Sequence, residues 1–348
     1  MSPYILATLI FGLGLGTFVT VTSSHWLLAW MGLEMSTLAI IPLMAQHHHP
    51  RAVEATTKYF LAQATAAAML LFASTTNAWL TGQWEITQMT HPLPTIMIIM
   101  ALGLKIGLAP LHTWMPEVLQ GLDLTTALIL STWQKIAPFS LLLQLSPNNP
   151  TPLIMMGLAS TIIGGWGGLN QTQLRKLLAY SSIAHLGWMI LVLQFSPSLA
   201  LLTLLTYFIM TFSTFLTFKL NNSMNINSLA ISWTKAPMMT ALAPLILLSL
   251  AGLPPLTGFM PKWLILQELT KQGLAPLATL AALSALLSLY FYLRLAYAMT
   301  LTASPNNLTG TAPWRLPSPQ ITLPLAISTA GTLLLLPLTP TASALLLL

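Results

Sequence analysis

The scarcity of charge is the feature of this sequence that most constrains its fold. Its 348 residues include 12 basic and 6 acidic side chains, so charged residues make up 5%. A soluble domain carries about 25% charged residues, so this chain cannot cover a water-facing surface. A hydrophobic fraction of 55% and a mean hydropathy of +0.77 indicate a membrane protein. The net charge of +6 is spread along an apolar chain, which argues against nucleic-acid binding.

Eleven apolar runs are long enough to cross a bilayer as helices, since about 20 residues at about 1.5 Å each span the hydrocarbon. They are Pro3–Thr22, His25–Met44, Tyr59–Leu80, Leu93–Leu111, Leu124–Leu145, Leu153–Leu174, Leu177–Ser196, Ser198–Phe218, Ala236–Thr257, Leu274–Leu293 and Ile321–Leu338. We therefore predict an all-α, polytopic bundle of transmembrane helices with about eleven spans. The connecting segments are short, so residues 1–348 are predicted to form a single membrane domain.

The charged residues of the loops indicate how the chain is oriented. With alternating spans, the loops on the side of the N-terminus hold eight basic residues, and those on the other side hold one. The eight are Arg51, Lys58, Arg175, Lys176, Lys219, Lys235, Arg294 and Arg315, and the one is Lys271. By the positive-inside rule, we expect the N-terminus on the side where the protein is inserted and the C-terminus on the opposite side.

Three charged residues fall well inside predicted spans: Glu34, Lys105 and Lys135. A lone charge at the centre of a spanning helix costs about 2.5–3.5 kcal/mol, and such groups commonly mark ion or proton pathways. Burial favours the neutral form of a lysine and a nearby carboxylate favours the charged form, so these groups can load and release protons. The alternative is an ion pair between Glu34 and Lys105 that only locks two helices together.

A helix break is predicted before a fourth lysine, Lys262. Residues 236–267 as one straight helix would extend about 48 Å, well beyond the hydrocarbon core. The segment GLPPLTG at 252–258 is predicted to interrupt this helix near its middle. Discontinuous helices recur at transporter ion sites. For Lys262 alone, a proline kink with a snorkelling lysine explains the pattern equally well.

Prolines also follow the other two buried lysines. Lys105 precedes Pro110, and Lys135 precedes Pro138 by three residues. Irregular backbone at membrane depth is tolerated only where protein or water surrounds it. Three lysines beside three predicted breaks therefore favour a hydrated pathway over three unrelated kinks.

Two histidines are further candidates for proton transfer. His112 lies seven residues after Lys105, which places both on one face of a continuous helix, and His185 lies in the middle of a span. For each, a histidine that only packs through a hydrogen bond is at least an equally good interpretation. His25 and residues 47–49 lie at loop edges, where nothing completes a ligand set, so we predict no metal site.

Glycine clusters at 12–16 and 164–168 are predicted to serve close helix packing. The first lacks the strand and helix context of a dinucleotide-binding loop, and the second lacks the lysine of a phosphate loop. The chain has no cysteine and offers no haem-ligand pair. We therefore expect that it binds no cofactor itself.

Three segments resemble the antiporter-like membrane subunits of respiratory complex I. They are GLKIGLAPLHTWMPE at 103–117, WQKIAP at 133–138 and GLPPLTGFMPK at 252–262. The resemblance implies a proton-translocation module at 23–287, followed by C-terminal helices at 288–348. It also implies a multi-pass protein of the mitochondrial inner membrane, with its N-terminus in the matrix and its C-terminus in the intermembrane space.

The resemblance further implies roles for individual residues and for partners. Glu34 and Lys105 correspond to the family's coupling pair, Lys135 to its central lysine and Lys262 to its distal lysine. The implied partners are other membrane subunits of the complex and lipids such as cardiolipin, rather than nucleic acid or a second copy of the chain. NADH, FMN, iron–sulfur clusters and ubiquinone would be bound by partner subunits.

Three hypotheses of function follow. The first is a proton-translocating subunit of a large redox enzyme, in which Glu34, Lys105, Lys135 and Lys262, with His112 and His185, form a proton relay. The second is a cation/proton antiporter that works alone. The third is a purely structural subunit that is needed only for assembly.

Overall fold

The computed structural model of the chain describes residues 2–46, 49–89, 91–145, 150–234, 237–302 and 322–347. Within these ranges the regular secondary structure is helical, which confirms the predicted all-α class. The chain forms two compact units, Met1–Ser160 and Thr161–Leu348.

The first unit contains seven helices and the first part of an eighth. They are α1 Pro3–Thr22, α2 Trp26–Met44, α3 Pro50–Thr81, α4 Pro92–Ile106, α5 Trp114–Gly121, α6 Leu124–Ser131, α7 Trp133–Gln144 and α8 Thr151–Gly168. Helix α3 has 32 residues and begins nine residues before the predicted run, so Lys58 lies on this helix rather than in a loop.

The second unit contains the rest of α8 and the remaining helices. They are α9 Leu174–Leu193, α10 Pro197–Leu220, α11 Ile226–Ala230, α12 Pro237–Ala251, α13 Phe259–Lys271, α14 Ala275–Thr300, α15 Thr322–Leu334 and α16 Thr339–Leu347. Lys235 and Arg315, which contribute to the predicted charge asymmetry, and the run ends Ala236 and Ile321 lie outside the described residues.

Six helices of the described ranges are long and apolar enough to cross a membrane: α1, α2, α3, α9, α10 and α14. A bent pair, Leu323–Leu334 and Leu336–Ala342, meets at 70° and counts as one more span if it crosses as a unit. Each of the eleven predicted runs overlaps a helix, but several of these helices are short pieces beside breaks. The multi-pass architecture is therefore confirmed, and the count of eleven stays a prediction.

Local signals set the starts of the first three helices. The Ser2 side chain caps α1, with Pro3 at the first helical position. The Nδ1 atoms of His25 and His49 accept backbone N–H groups at the starts of α2 and α3, each at 3.2 Å. These histidines thus serve as helix caps, while residues 47 and 48 lie outside the described part of the chain.

Glycines allow close helix contact in both units, as the clusters predict. A Cβ atom on Gly16 of α1 would lie 2.7 Å from the carbonyl oxygen of Gly32 on α2. A Cβ atom on Gly164 of α8 would lie 2.6 Å from the backbone nitrogen of Ala184 on α9. Both contacts involve backbone atoms, so neither neighbour can move aside cheaply.

Replacing Gly164 by valine is expected to lower the amount of assembled protein severely, because its side chain would collide with the backbone of α9. The matched control is Gly14→Val, since a Cβ atom at Gly14 has no neighbour within 4 Å. The measurement is the yield of intact complex on native gels. Equal yields for the two variants would contradict the close packing of α8 and α9.

Three predicted spans are interrupted. Helix α4 ends at Ile106 instead of Leu111, and α12 ends at Ala251 instead of Thr257. In both cases a glycine follows with a positive φ, 87° at Gly107 and 86° at Gly252, and stops the helix before the nearby proline is reached. The run 124–145 forms two helices, α6 and α7, which separate at Thr132.

Candidate functional site

An ion pair joins two of the charged residues that the sequence places inside spans. In the first unit, Lys105 Nζ on α4 lies 3.8 Å from Glu34 Oε1 on α2. The Lys105 side chain is 2% exposed and that of Glu34 is 25% exposed. Because 3.8 Å is longer than a hydrogen bond, a shift of about 1 Å would convert this contact into a charge-assisted hydrogen bond or loosen it further.

The Thr37 side chain contacts Glu34 one turn along α2. Its hydroxyl donates to the Glu34 backbone carbonyl at 2.9 Å and lies 3.5 Å from Glu34 Oε2. The carboxylate therefore has a polar neighbour on its own helix in addition to Lys105 on α4.

The backbone break directly after Lys105 is capped by side chains from two other helices. The last carbonyls of a helix have no partner within the helix. Here Trp114 Nε1 of α5 donates to the Leu104 carbonyl at 3.0 Å, and Gln63 Nε2 of α3 donates to the Lys105 carbonyl at 3.4 Å. The break is thus stabilised at depth without bulk water, and the end of α4 that carries Lys105 is fixed in place.

Lys135 lies in the first turn of α7 and is 2% exposed. The interruption beside it lies at Thr132, so the expectation that Pro138 marks the break was wrong. Pro138 remains inside α7. The Thr132 hydroxyl donates to the Leu128 carbonyl at 2.7 Å, which is one of the carbonyls at the end of α6.

A cavity connects the surroundings of Lys105 and Lys135. Both lysines line it, together with the polar side chains of Tyr59, Gln63 and Gln134. Its volume of about 20 Å³ is enough for one water molecule, and a polar lining is the condition for such a water to be stable. The structure therefore brings three of the predicted residues, Glu34, Lys105 and Lys135, to one site.

Gln134 joins the lysine-bearing helix α7 to the glutamate-bearing helix α2. Its Nε2 atom donates to the Ser36 carbonyl at 3.1 Å, two residues after Glu34. Neither Gln63 nor Gln134 is among the residues that the sequence predicts for this site. Both are amide side chains within apolar runs. An amide without a hydrogen-bond partner is costly in hydrocarbon, so a search for amides in such runs would have found them.

His112 does not continue the helix of Lys105. Helix α4 ends at Ile106, and His112 lies in the irregular segment before α5, where its carbonyl accepts the Met115 N–H at 3.0 Å. His112 and Lys105 therefore do not share one helical face, and the prediction that they do was wrong. The lining of the Lys105–Lys135 cavity includes Trp114 and Met115 but not His112.

The second unit contains a separate site around Lys262. This residue lies in the first turn of α13, after the predicted break at 252–258. Its Nζ donates to the Ala251 carbonyl at 2.7 Å, with the Leu250 carbonyl at 3.5 Å. Both carbonyls belong to the end of α12, where a cation is favoured by the helix dipole and by the unpaired carbonyls.

His185 and Lys262 line one cavity. Its volume of about 20 Å³ is again enough for one water molecule, and Thr203 and Thr206 of α10 also line it. The hydroxyls of these threonines donate to carbonyls of their own helix, so only their lone pairs remain for a water or a cation. Tyr207, which is not among the predicted residues, also lies beside His185. The centroids of the two rings are 5.6 Å apart.

The described residues contain no group of three or more His, Cys, Asp or Glu side chains that could hold a metal ion. Between them, the two sites offer lysine amino groups, amides, hydroxyls and a histidine, in cavities the size of a water molecule. Such groups can accept and donate protons.

Comparisons with known proteins identify relatives of the whole chain. Residues 23–288 match the family described as NADH:quinone oxidoreductase/Mrp antiporter, and residues 289–343 match the C-terminus of NADH dehydrogenase subunit 2. The NADH-ubiquinone oxidoreductase chain 2 of Tetraodon nigroviridis is 77% identical over 98% of both chains. That of Salmo salar is 70% identical over 99% of both chains.

A solved structure shows the same fold. A chain of respiratory complex I from Thermus thermophilus with bound aureothin aligns with a TM-score of 0.87 and 29% identity. The alignment covers 99% of this chain and 80% of that chain.

Proposed function

Because this chain belongs to the NADH-ubiquinone oxidoreductase chain 2 family, we propose that it is the subunit of complex I in which buried lysines carry protons across the membrane. Complex I is an NADH:ubiquinone oxidoreductase, and this chain is one of its multi-pass membrane subunits. The observation that carries the proposal is the cavity that joins Lys105, paired with Glu34, to Lys135.

The proposed mechanism in the first unit starts at the Glu34–Lys105 pair. A shorter contact stabilises the charged form of Lys105, and a longer one favours release of its proton. The proton released by Lys105 passes through a water in the cavity to the amino group of Lys135. Gln63 and Trp114 keep the end of α4 in place during this transfer, because they hold its last carbonyls.

The proposed mechanism in the second unit uses Lys262 and His185. Charged Lys262 is held by the Ala251 carbonyl, and the imidazole of His185 can accept or donate a proton through a water in their shared cavity. His112 stays in the proposal as a further candidate for proton transfer, in the irregular segment between α4 and α5.

The proposal also covers the cofactors, the partners, the membrane and the orientation of the chain. NADH, FMN, iron–sulfur clusters and ubiquinone are bound by other subunits, and this chain contacts other membrane subunits and lipids such as cardiolipin. The membrane is the mitochondrial inner membrane. The excess of basic loop residues on the N-terminal side supports an N-terminus in the matrix and a C-terminus in the intermembrane space. Residues 23–287 form the translocation module and residues 288–348 its C-terminal helices.

Reconstitution into vesicles distinguishes this proposal from the alternative that the chain is an antiporter that works alone. The intact complex is expected to move protons when NADH and a quinone are supplied. The purified chain alone, under an imposed sodium or potassium gradient, is expected to give no pH change. A cation-driven pH change with the chain alone, sensitive to Lys135→Met, would favour the antiporter.

A further inference from the structure

The segment that breaks the helix before Lys262 also determines where the Lys262 amino group lies. Its first residue, Gly252, has a φ of 86°, and a Cβ atom there would lie 3.1 Å from Lys262 Nζ. At its other end, a side chain on Gly258 would collide with the carbonyl of Ser249. The segment is therefore folded tightly against the end of α12, and the Lys262 side chain lies across it.

A hydrogen bond ties this segment to a distant part of the chain. The Thr257 hydroxyl donates to the Thr332 carbonyl of α15 at 2.6 Å, and both residues are fully buried. Most threonine hydroxyls in the described helices donate to a carbonyl three or four residues earlier, as Thr270 does to Gln267. The Thr257 bond instead joins residues 75 positions apart, so it is a tertiary contact.

The acceptor of this bond is itself at a helix break. Thr332 lies in the last turn of α15, which ends at Leu334, where the chain bends by 70°. The last four carbonyls of a helix lack partners within the helix, and a buried one needs another donor. Thr257, in the segment between α12 and α13, therefore supplies the hydrogen-bond donor that the Thr332 carbonyl lacks within α15.

We propose that Thr257 is a positioning residue for proton transfer and that α15 is the element against which it fixes the Lys262 site. The bond from Thr257 to the Thr332 carbonyl holds the 252–258 segment in place. This in turn keeps the Lys262 amino group on the Ala251 carbonyl and in the cavity that it shares with His185. The inference rests on the proposed role of Lys262, and it gives the C-terminal helices a direct part in that role.

The experiment compares Thr257→Val with Thr257→Ser in the assembled complex. Valine keeps the shape of threonine but removes the donor, whereas serine keeps the donor. Thr270→Val on α13 is the control, because that hydroxyl is exposed and bonds only within its own helix. The two readouts are amide hydrogen exchange of peptides covering residues 252–262 and the proton yield per NADH in vesicles.

We expect Thr257→Val to speed exchange in this segment about fivefold, the effect of one lost hydrogen bond, and to lower the proton yield per NADH about two- to fivefold. Thr257→Ser and Thr270→Val should match the unmodified complex in both readouts.

Two results would overturn the inference. One is unchanged exchange in Thr257→Val. The other is faster exchange in Thr257→Val together with a normal proton yield, provided that Lys262→Met does lower that yield. A normal proton yield in Lys262→Met would instead overturn the proposed role of Lys262, and the exchange data would still decide whether Thr257 holds the segment.

Discussion

Replacing Lys135 by methionine in the assembled complex is expected to lower NADH-driven proton translocation at least about tenfold. A positioned proton-transfer group commonly contributes a factor of about 10² or more, and methionine can neither accept nor donate the proton. Assembly should survive, because methionine has about the volume of lysine and carries no amino group whose burial costs free energy. The measurements are proton uptake into vesicles, quinone-coupled NADH oxidation and the amount of intact complex.

The matched control for this substitution is Lys219→Met, since Lys219 lies at the exposed end of α10. It removes the same charge outside the cavity and should leave proton uptake unchanged. A normal proton yield per NADH in Lys135→Met would show that this lysine is not part of the path. That result would favour the structural hypothesis, in which only packing changes such as Gly164→Val do harm.

Replacing Glu34 by glutamine is expected to have the second-largest effect, a fall in coupled turnover of about tenfold with normal assembly. Glutamine keeps the size of the side chain and its contact with Thr37 but removes the charge 3.8 Å from Lys105. The buried Lys105 amino group is left without its counter-charge, and it can relieve that loss by giving up its proton. The charged form of Lys105 loses that stabilisation, so it can no longer take up and release protons in turn.

Glu85→Gln is the control for the loss of a carboxylate, because Glu85 is exposed in the segment between α3 and α4. Activity with an artificial electron acceptor should be unchanged in both variants, since the proposed function places electron transfer in other subunits. If the Glu34–Lys105 pair only locked α2 to α4, Glu34→Gln would lower the amount of complex and leave the proton yield of the remaining complex normal.

The apolar pattern predicts most of the helices. Helix α1 is found at the predicted residues, and α2 begins one residue after the predicted start. These elements depend on local properties, namely the length of an apolar run and the caps at its ends. The breaks at Gly107 and Gly252 also follow local chemistry, because a glycine with positive φ stops a helix wherever it lies.

The site could be predicted only in part. The sequence indicates that Glu34, Lys105, Lys135 and Lys262 are buried, since each lies within or beside an apolar run. It places the break near Lys135 at Pro138, whereas the interruption lies at Thr132. Pro138 lies inside α7, and both a proline and a nearby threonine can mark a bend, so the sequence cannot show which of the two positions interrupts the helix.

The sequence by itself determined the medium, most of the helices and which charges lie within or beside apolar runs, because hydropathy and helix-breaking residues act over one or two turns. Only the tertiary structure decided which of these groups meet. It paired Glu34 with Lys105, paired the carbonyls of Leu104 and Lys105 with Trp114 and Gln63, and placed His185 in one cavity with Lys262. These contacts join residues that are far apart in the chain, and their geometry depends on how whole helices pack, which local periodicity does not encode.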